Sequence, residues 1–253
     1  MTTKTSEIGR ALVRRLSVIG EVSDDDETAL LALEGNIRGI PRNKDILKVG
    51  QRASCTVVVL EGLLAHYSTG PQGQFRIQAV HLPDDAPSLE TLHIQHVDAN
   101  LCALTDSVIG LIPHENLHAL MARRPNVLHL VWRETLIQAA TARKWVERNG
   151  AMPARSAMAH AFCELWTRSE ASGRTHGQSA AIPLTQEMLA DMLGITSVHV
   201  SRMLREFRDE GLADFANGEL KIMRPGALAD VAGFDPRYLH HRADQAERIR
   251  ASA

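Results

Sequence analysis

Cysteine is scarce in this chain: three in 253 residues, Cys55, Cys102 and Cys163. They are odd in number and far apart, and no Cys-x-x-Cys occurs, which excludes a disulfide framework and a cysteine-ligated zinc or iron–sulfur centre. Three reduced thiols in a cytosol are expected instead. Long apolar runs are also missing. None approaches the roughly 18 residues of a spanning helix, and Thr56-Val57-Val58-Val59-Leu60 has only strand length. Met1 to Arg10 has no apolar core, so it is not a secretory signal. These absences predict a cytoplasmic protein with no membrane partner. There is no P-loop, no G-x-G-x-x-G and no Ser/His/Asp set. No excess of positive charge exists either, since the net charge is −2 and the pI about 6.6. That disfavours a nucleic-acid binder only mildly, because binding depends on a local cluster.

What is present is ordinary globular composition, 44% hydrophobic and 23% charged, arranged in distinct stretches. Asp24 to Glu34 predicts a short helix with three acids at its positive end. From Ile37 to Ile112, short β-prone runs alternate with turn residues: Gly39, Pro41, Gly50, Gly62, Thr69 to Gly73, and Pro83-Asp84-Asp85. Turn signals every ten or so residues predict an antiparallel roll or barrel. At Pro113, a residue suited to a first helical turn, the β pattern stops. A long helix is predicted from Arg123 to Asn149, ending at Asn149-Gly150. It carries two apolar stripes: Leu128, Trp132, Leu136 and Ala139, and Leu130, Ile137 and Ala140. One stripe docks a helix on its own domain; a second implies a partner. A further helix is predicted from about Pro153 to Arg168, then an exposed polar loop from Ser169 to Ser179.

The most informative stretch is Ile182 to Arg205. Thr185 is a natural N-cap for a first helix, whose apolar face is Met188, Leu189, Met192 and Leu193. Gly194 supplies the left-handed residue of a tight interhelical turn. Thr196 caps a second helix, running to about Arg208, whose inward face is Val200, Met203, Leu204 and Phe207. Ser197, Val198, His199, Ser201, Arg202 and Arg205 are left for the outer surface or its margins. Two short helices joined by such a turn form a helix-turn-helix, whose second helix enters the major groove of double-stranded DNA. Gly211 to Ile222 predicts a hairpin, the wing, with Asn217-Gly218 as its two-residue turn. Between Thr185 and Arg224 there are five Lys/Arg and seven Asp/Glu, so a DNA surface must be segregated on the helix face.

The Gly194-Ile195-Thr196-Ser197-Val198-His199-Val200-Ser201-Arg202-Met203-Leu204 stretch resembles the recognition segment of the Crp/Fnr family of bacterial regulators. Val49-Gly50-Gln51, Leu60-Glu61-Gly62-Leu63, Gly73-Gln74-Phe75-Arg76-Ile77 and Leu82-Pro83-Asp84-Asp85 are similar to that family's β-rich part. The resemblance covers nearly the whole chain. It implies a β-roll sensor, a dimer helix and a winged helix-turn-helix, in the order already found. It also implies a guanine contact for Arg202, backbone contacts for Thr185 and Gln186, and RNA polymerase as a partner. There are departures. Cyclic-nucleotide-binding members hold the cyclic phosphate with a Gly-Glu pair and a later Arg-Ser or Arg-Thr. Here Asp84 to Leu104 contains no arginine or lysine, and a phosphate needs cations or N–H donors. The cysteine cluster of the iron–sulfur members is absent. Where many members use a glutamate to read cytosine, this chain has Val198.

Two other chemistries compete. His114-Glu115-Asn116-Leu117-His118 matches the H-E-x-x-H of zinc proteases, with Glu115 as general base, and makes a metal-dependent hydrolase the alternative enzyme reading. Pro113 starts a helix one residue before it, and no third ligand is evident. His66, His81, His93 and His96 would suit a metal or haem sensor, but on one strand His93 and His96 would face opposite sides. The expectation is therefore an α+β protein. Residues 1–113 form a β-roll sensor domain with N-terminal helices. Residues 114–150 form connecting and dimerisation helices, 151–241 a winged helix-turn-helix, and 242–253 a tail. It should act as a DNA-binding homodimer without enzymatic activity, metal or cofactor, any small-molecule effector in the roll being unidentified.

Overall fold

A computed structural model describes residues 2–71, 73–94 and 96–242; the expected tail lies, beyond Arg242, outside the described residues. Its contacts divide the chain into two units. The first comprises the chain up to Ser68 with Gln78–Gln138, the second Thr69–Ile77 with the chain from Ala139 onward.

The first unit opens with two helices, α1 (Thr2–Ile19) and α2 (Asp24–Leu31). Ser23 caps α2 by accepting the Asp26 N–H at 3.2 Å. The helices pack closely at Gly9, where a Cβ would lie 2.4 Å from the Leu30 carbonyl oxygen, so a side chain there would force them apart. Ile8, Ala11, Leu12 and Leu16 bury the inner face of α1. Seven strands follow, Thr69 of β4 and Phe75–Ile77 of β5 being counted with the second unit: β1 (Asn36–Ile40), β2 (Asp45–Leu47), β3 (Cys55–Glu61), β4 (Leu64–Thr69), β5 (Phe75–His81), β6 (Asn100–Ala103) and β7 (Ser107–Pro113). They form two antiparallel sheets, ordered β1-β7-β3 and β2-β6-β4-β5. Their registers include Val57 opposite Leu111 and Leu64 opposite Ala103. Leu47, Val57, Val59, Leu64, Leu101, Ala103 and Ile109, from both sheets, make one core. Strand β3 is buried on both faces from Thr56 to Leu60, which accounts for its unbroken apolar run.

The helix expected from Arg123 to Asn149 differs at both ends. Helix α3 (His114–Arg123) stops first, Arg124 is extended (φ −129°, ψ 85°), and α4 runs over Pro125–Ala151. Proline disfavours helical geometry in the residue before it, so Pro125 breaks one helix and begins the next. Gly150 does not end α4. Pro113 closes β7 and caps α3 rather than starting it. Along α4, Val127, Leu130, Val131, Glu134 and Ile137 are buried, while Leu128, Trp132 and Leu136 are exposed. The two stripes have opposite fates. Beneath α4, Arg15 of α1 donates to Glu134 at 2.9 and 3.0 Å, and Gln138 donates to Glu134 and to the Ala86 carbonyl.

The second unit takes the C-terminal half of α4, then α5 (Ala154–Ala171), β8 (Thr175–His176), β9 (Ser179–Ala181), α6 (Gln186–Leu193), α7 (Ser197–Asp209), β10 (Ala213–Ala216), β11 (Glu219–Ile222) and α8 (Pro225–Ala232). Helix α5 is buried on every side from Ala157 to Ser169, as expected of a central helix. The loop expected at 169–179 is a correction: α5 continues to Ala171, and the following residues form two strands of a sheet ordered β10-β11-β9-β8. Pairing with β11, Leu220 opposite Ala180, stabilises β9, whose own residues have little β-propensity, and β8 pairs in turn with β9.

Candidate nucleic-acid interface

Helices α6 and α7 are set by short-range chemistry. Thr185 accepts the Met188 N–H at 3.2 Å, and Thr196 accepts the His199 N–H at 3.3 Å. Between them Gly194 adopts φ 68°, ψ 28°, a left-handed conformation that glycine takes without strain. Val200, Met203, Leu204 and Phe207 are at most 5% exposed. Ser197, Val198, Ser201, Arg202 and Arg205 are exposed, at helical spacings that put them on one face. His199 is half-buried at the margin, Thr196 is exposed, Thr185 is half-buried and Gln186 exposed. The N-terminal turns of α6 and α7 enclose a shallow hollow lined by Gln186, Glu187, Ser197, Val198 and Ser201. The expected site residues therefore gather at one surface, with His199 the least accessible on α7.

One supporting residue escaped the sequence reading. Arg155, on the first turn of α5, forms two hydrogen bonds to Glu210 at 2.6 and 2.7 Å and lies 3.7 Å from Glu206. Its guanidinium also sits 5.3 Å from the Phe207 ring. It fixes the C-terminal half of α7, and its hydrogen bonds hold Glu210 below the ordinary carboxylate range. No local signal marks a pair 55 residues apart. Arg208 pairs with Asp214 at 2.7 Å, joining α7 to the wing. In the wing, Asn217 (φ 53°) and Gly218 (φ 74°) make the expected left-handed turn between Ala216 and Glu219.

Residues 156–231 match the Crp-like helix-turn-helix domain family, and residues 37–124 match the cyclic nucleotide-binding domain family. The chain belongs to the Crp/Fnr family. It is a DNA-binding transcriptional regulator. Among its relatives is the fumarate and nitrate reduction regulatory protein of Escherichia coli K12, 23% identical over 194 residues, 77% of each chain. Another is the regulatory protein HlyX of Actinobacillus pleuropneumoniae, 22% identical over 82% of this chain and 86% of that one. The solved structure of FixK2 from Bradyrhizobium japonicum shares the fold with a TM-score of 0.71, at 20% identity, covering 80% of this chain and 100% of that chain. A Crp-family transcriptional regulator of Thermus thermophilus aligns with a TM-score of 0.59, 22% identity and coverage of 78% and 97%.

In this Crp/Fnr regulator the loop after β5 is tightly packed. Asp84, Asp85 and Ser88 are buried. Ser88 accepts the Val57 N–H at 2.8 Å, and Asp85 accepts the Leu82 N–H at 2.7 Å. Cations reach this loop from α1. Arg14 binds both oxygens of Asp84, at 2.6 and 3.1 Å, and Arg15 lies 3.7 Å from Asp85. The arginines thus answer carboxylates. The histidines of the roll form separate pairs. His81 and His66 approach to 3.0 Å, and burial pushes His66 down to about 4. His93 packs edge-on against His118. His93 and His96 lie on no strand but in the irregular segment after a 3-10 turn, Leu89–Leu92. His114 contacts Thr91 at 3.1 Å, so the two imidazoles of the H-E-x-x-H segment face different neighbours. Among the described residues no group of three or more His, Cys, Asp or Glu is placed to hold a metal. No described helix is long and apolar enough to cross a membrane. Burial raises the Cys102 and Cys163 thiols to about 12, which removes their nucleophilic form at neutral pH.

Proposed function

We propose that the protein acts as a cytoplasmic homodimer that places one copy of α7 in the major groove of each half of an inverted repeat. The observation that carries this is the outward face of α7, where Ser197, Ser201, Arg202 and Arg205 stand clear of a fully apolar inner face. Arg202 is the principal base reader. Its ion-pair partner, Glu206, is 3.8 Å away, a loose contact that a guanine edge can displace. His199 contributes from the helix margin. Thr185, Gln186 and the free N–H groups at the start of α7 bind phosphates. Two such helices should lie roughly 34 Å apart, one turn of DNA. The second copy is held by the exposed stripe of α4. RNA polymerase is the further macromolecular partner.

The sensor unit takes no cyclic nucleotide, because the loop from Asp84 to Leu104 offers a phosphate no cation of its own and Arg14 and Arg15 are already engaged. The H-E-x-x-H segment does no hydrolysis, since its two imidazoles face Thr91 and His93. The test of the DNA reading is binding-site selection from random sequence with wild type and Arg202→Ala. Wild type should select an inverted repeat, and Arg202→Ala should lose preference at one base pair per half-site, about 1–3 kcal/mol of discrimination. Selection of the same repeat with unchanged affinity by Arg202→Ala would remove that residue from base reading.

A further inference from the structure

Val198 is 79% exposed, more than Trp132, Val146 or any other large apolar side chain found exposed among the described residues. Nothing within the fold explains a valine there. The core face of α7 is complete without it. A β-branched residue is a weak helix former. In the first turn, at the positive end of the helix dipole, an acidic residue would be favoured. Its neighbours are all polar: Ser197, Ser201, Gln186 and Glu187 line the hollow beside it. Arg202, one turn on, shares its face.

Resting on the reading of α7 as the recognition helix, we propose that Val198 selects a thymine in each half-site by contact with its 5-methyl group. Base edges in the major groove present donors and acceptors, and the thymine methyl is their one apolar group. Valine can satisfy no donor or acceptor. Set against a guanine, adenine or cytosine edge, it would desolvate polar atoms without replacing their hydrogen bonds. Set against a methyl, it removes two apolar surfaces from water. Four residues of helix rise about 6 Å, and base pairs stack at about 3.4 Å. The thymine therefore lies about two base steps from the base that Arg202 reads.

The test starts from the inverted repeat selected by the wild-type protein. Each thymine of the half-site is replaced in turn by deoxyuridine, which removes the methyl and nothing else, and affinities are measured for wild type and Val198→Ala. One position should respond: wild type should bind the uracil operator about fourfold more weakly per substituted half-site, the worth of one buried methyl-sized group. Val198→Ala should bind the thymine and uracil operators equally. Random-site selection with Val198→Ala should show relaxed preference at that position and an unchanged preference where Arg202 reads. If uracil is neutral everywhere, or affects Val198→Ala as much as wild type, the inference is overturned while the recognition-helix reading stands. If wild type selects no inverted repeat, both fall.

Discussion

Trp132→Ala should dissociate the proposed dimer without weakening the fold of each protomer. Trp132 is 64% exposed on α4, between Leu128 at 42% and Leu136 at 56%. The stripe recurs every three or four residues, through Ala139 to Val146, which is 75% exposed. Fully burying a large apolar side chain contributes about 1.5–3 kcal/mol, so the exposed share of Trp132 is worth about 1–2 kcal/mol per protomer. Two-fold symmetry doubles that to about 2–4 kcal/mol per dimer, or about one and a half to three decades in Kd. Because the indole is already in water, the protomer should lose no more than about 0.5 kcal/mol. Leu130→Ala is the contrasting variant. Leu130 is 2% exposed and approaches Gly20 of the same chain, so its truncation should destabilise the protomer by about 2–5 kcal/mol. Sedimentation velocity over a concentration series, with thermal unfolding of each variant, separates the two effects. A Kd for Trp132→Ala within threefold of wild type would refute the argument, as would a loss of protomer stability as large as that of Leu130→Ala.

Arg15→Met should cost about 3–5 kcal/mol in urea unfolding, because it strands Glu134 in the interior, and Arg15→Met with Glu134→Leu should recover most of it; equal losses in the single and double variants would deny that stranded charge is the cause. Burial holds His160 down at about 4, with Arg148 and Lys144 also lowering it against Glu164 and Glu147. The unfolded chain therefore takes up a proton below about 6.5 that the native state refuses, and stability present above that pH falls by about 1.4 kcal/mol per unit as pH drops towards 4. His160 packs edge-on against Phe234 and stacks on Tyr238, so His160→Phe should keep that packing and lose about 2 kcal/mol less than wild type between pH 7.5 and 5; parallel curves would show that another group sets the slope. Calorimetric titration with cyclic AMP or cyclic GMP should give no micromolar binding, and a tight constant for either would mean that Arg14 or Arg15 leaves its carboxylate. Metal analysis of the purified protein should find no stoichiometric zinc; one ion per chain would revive the His114-Glu115-x-x-His118 reading.

Features set by neighbouring residues were legible from the sequence. Thr185, Gly194, Thr196 and the Asn217-Gly218 turn each act within four residues, so the helix-turn-helix and the wing emerged nearly to the residue. The α4 stripes were legible too, since periodicity separates faces, although it does not say which face meets its own chain. The break at Arg124 was written in Pro125 and was obscured by the apolar periodicity on either side. What could not be read were contacts made by distant segments. Arg14 with Asp84 spans 70 positions and Arg15 with Glu134 spans 119. Strand β9 exists because β11 lies beside it, and β8 because it pairs with β9; Ser179-Ala180-Ala181 carries no strand signal of its own. The His66–His81 contact joins residues of two successive strands, while sequence spacing had grouped His93 and His96 with them.

The net charge of −2 argued against DNA, and the structure shows why that argument was weak. Bulk charge counts every carboxylate equally, but many here are not available to repel a phosphate. Glu134 and Glu164 are buried with arginine partners, Arg15 and Arg168. Asp26 is also buried; burial alone would raise it, yet hydrogen bonds from Asn126, Ser23 and Arg124 bring it to about 2. Asp84 is bound by Arg14. At α7 itself, Glu210 is bound by Arg155, Asp214 of the wing by Arg208, and Glu206 lies between Arg155 and Arg202. With those acids paired, Arg202 and Arg205 stand exposed beside two serines and an uncharged valine, and Glu187 is the acid left at the rim of the same hollow. A DNA backbone responds to that local field, because charges beyond about 10 Å are screened at ordinary ionic strength. A slightly acidic chain can therefore offer a phosphate a local cationic field, provided arginines such as Arg205 stand outside the pairs that neutralise the acids around them.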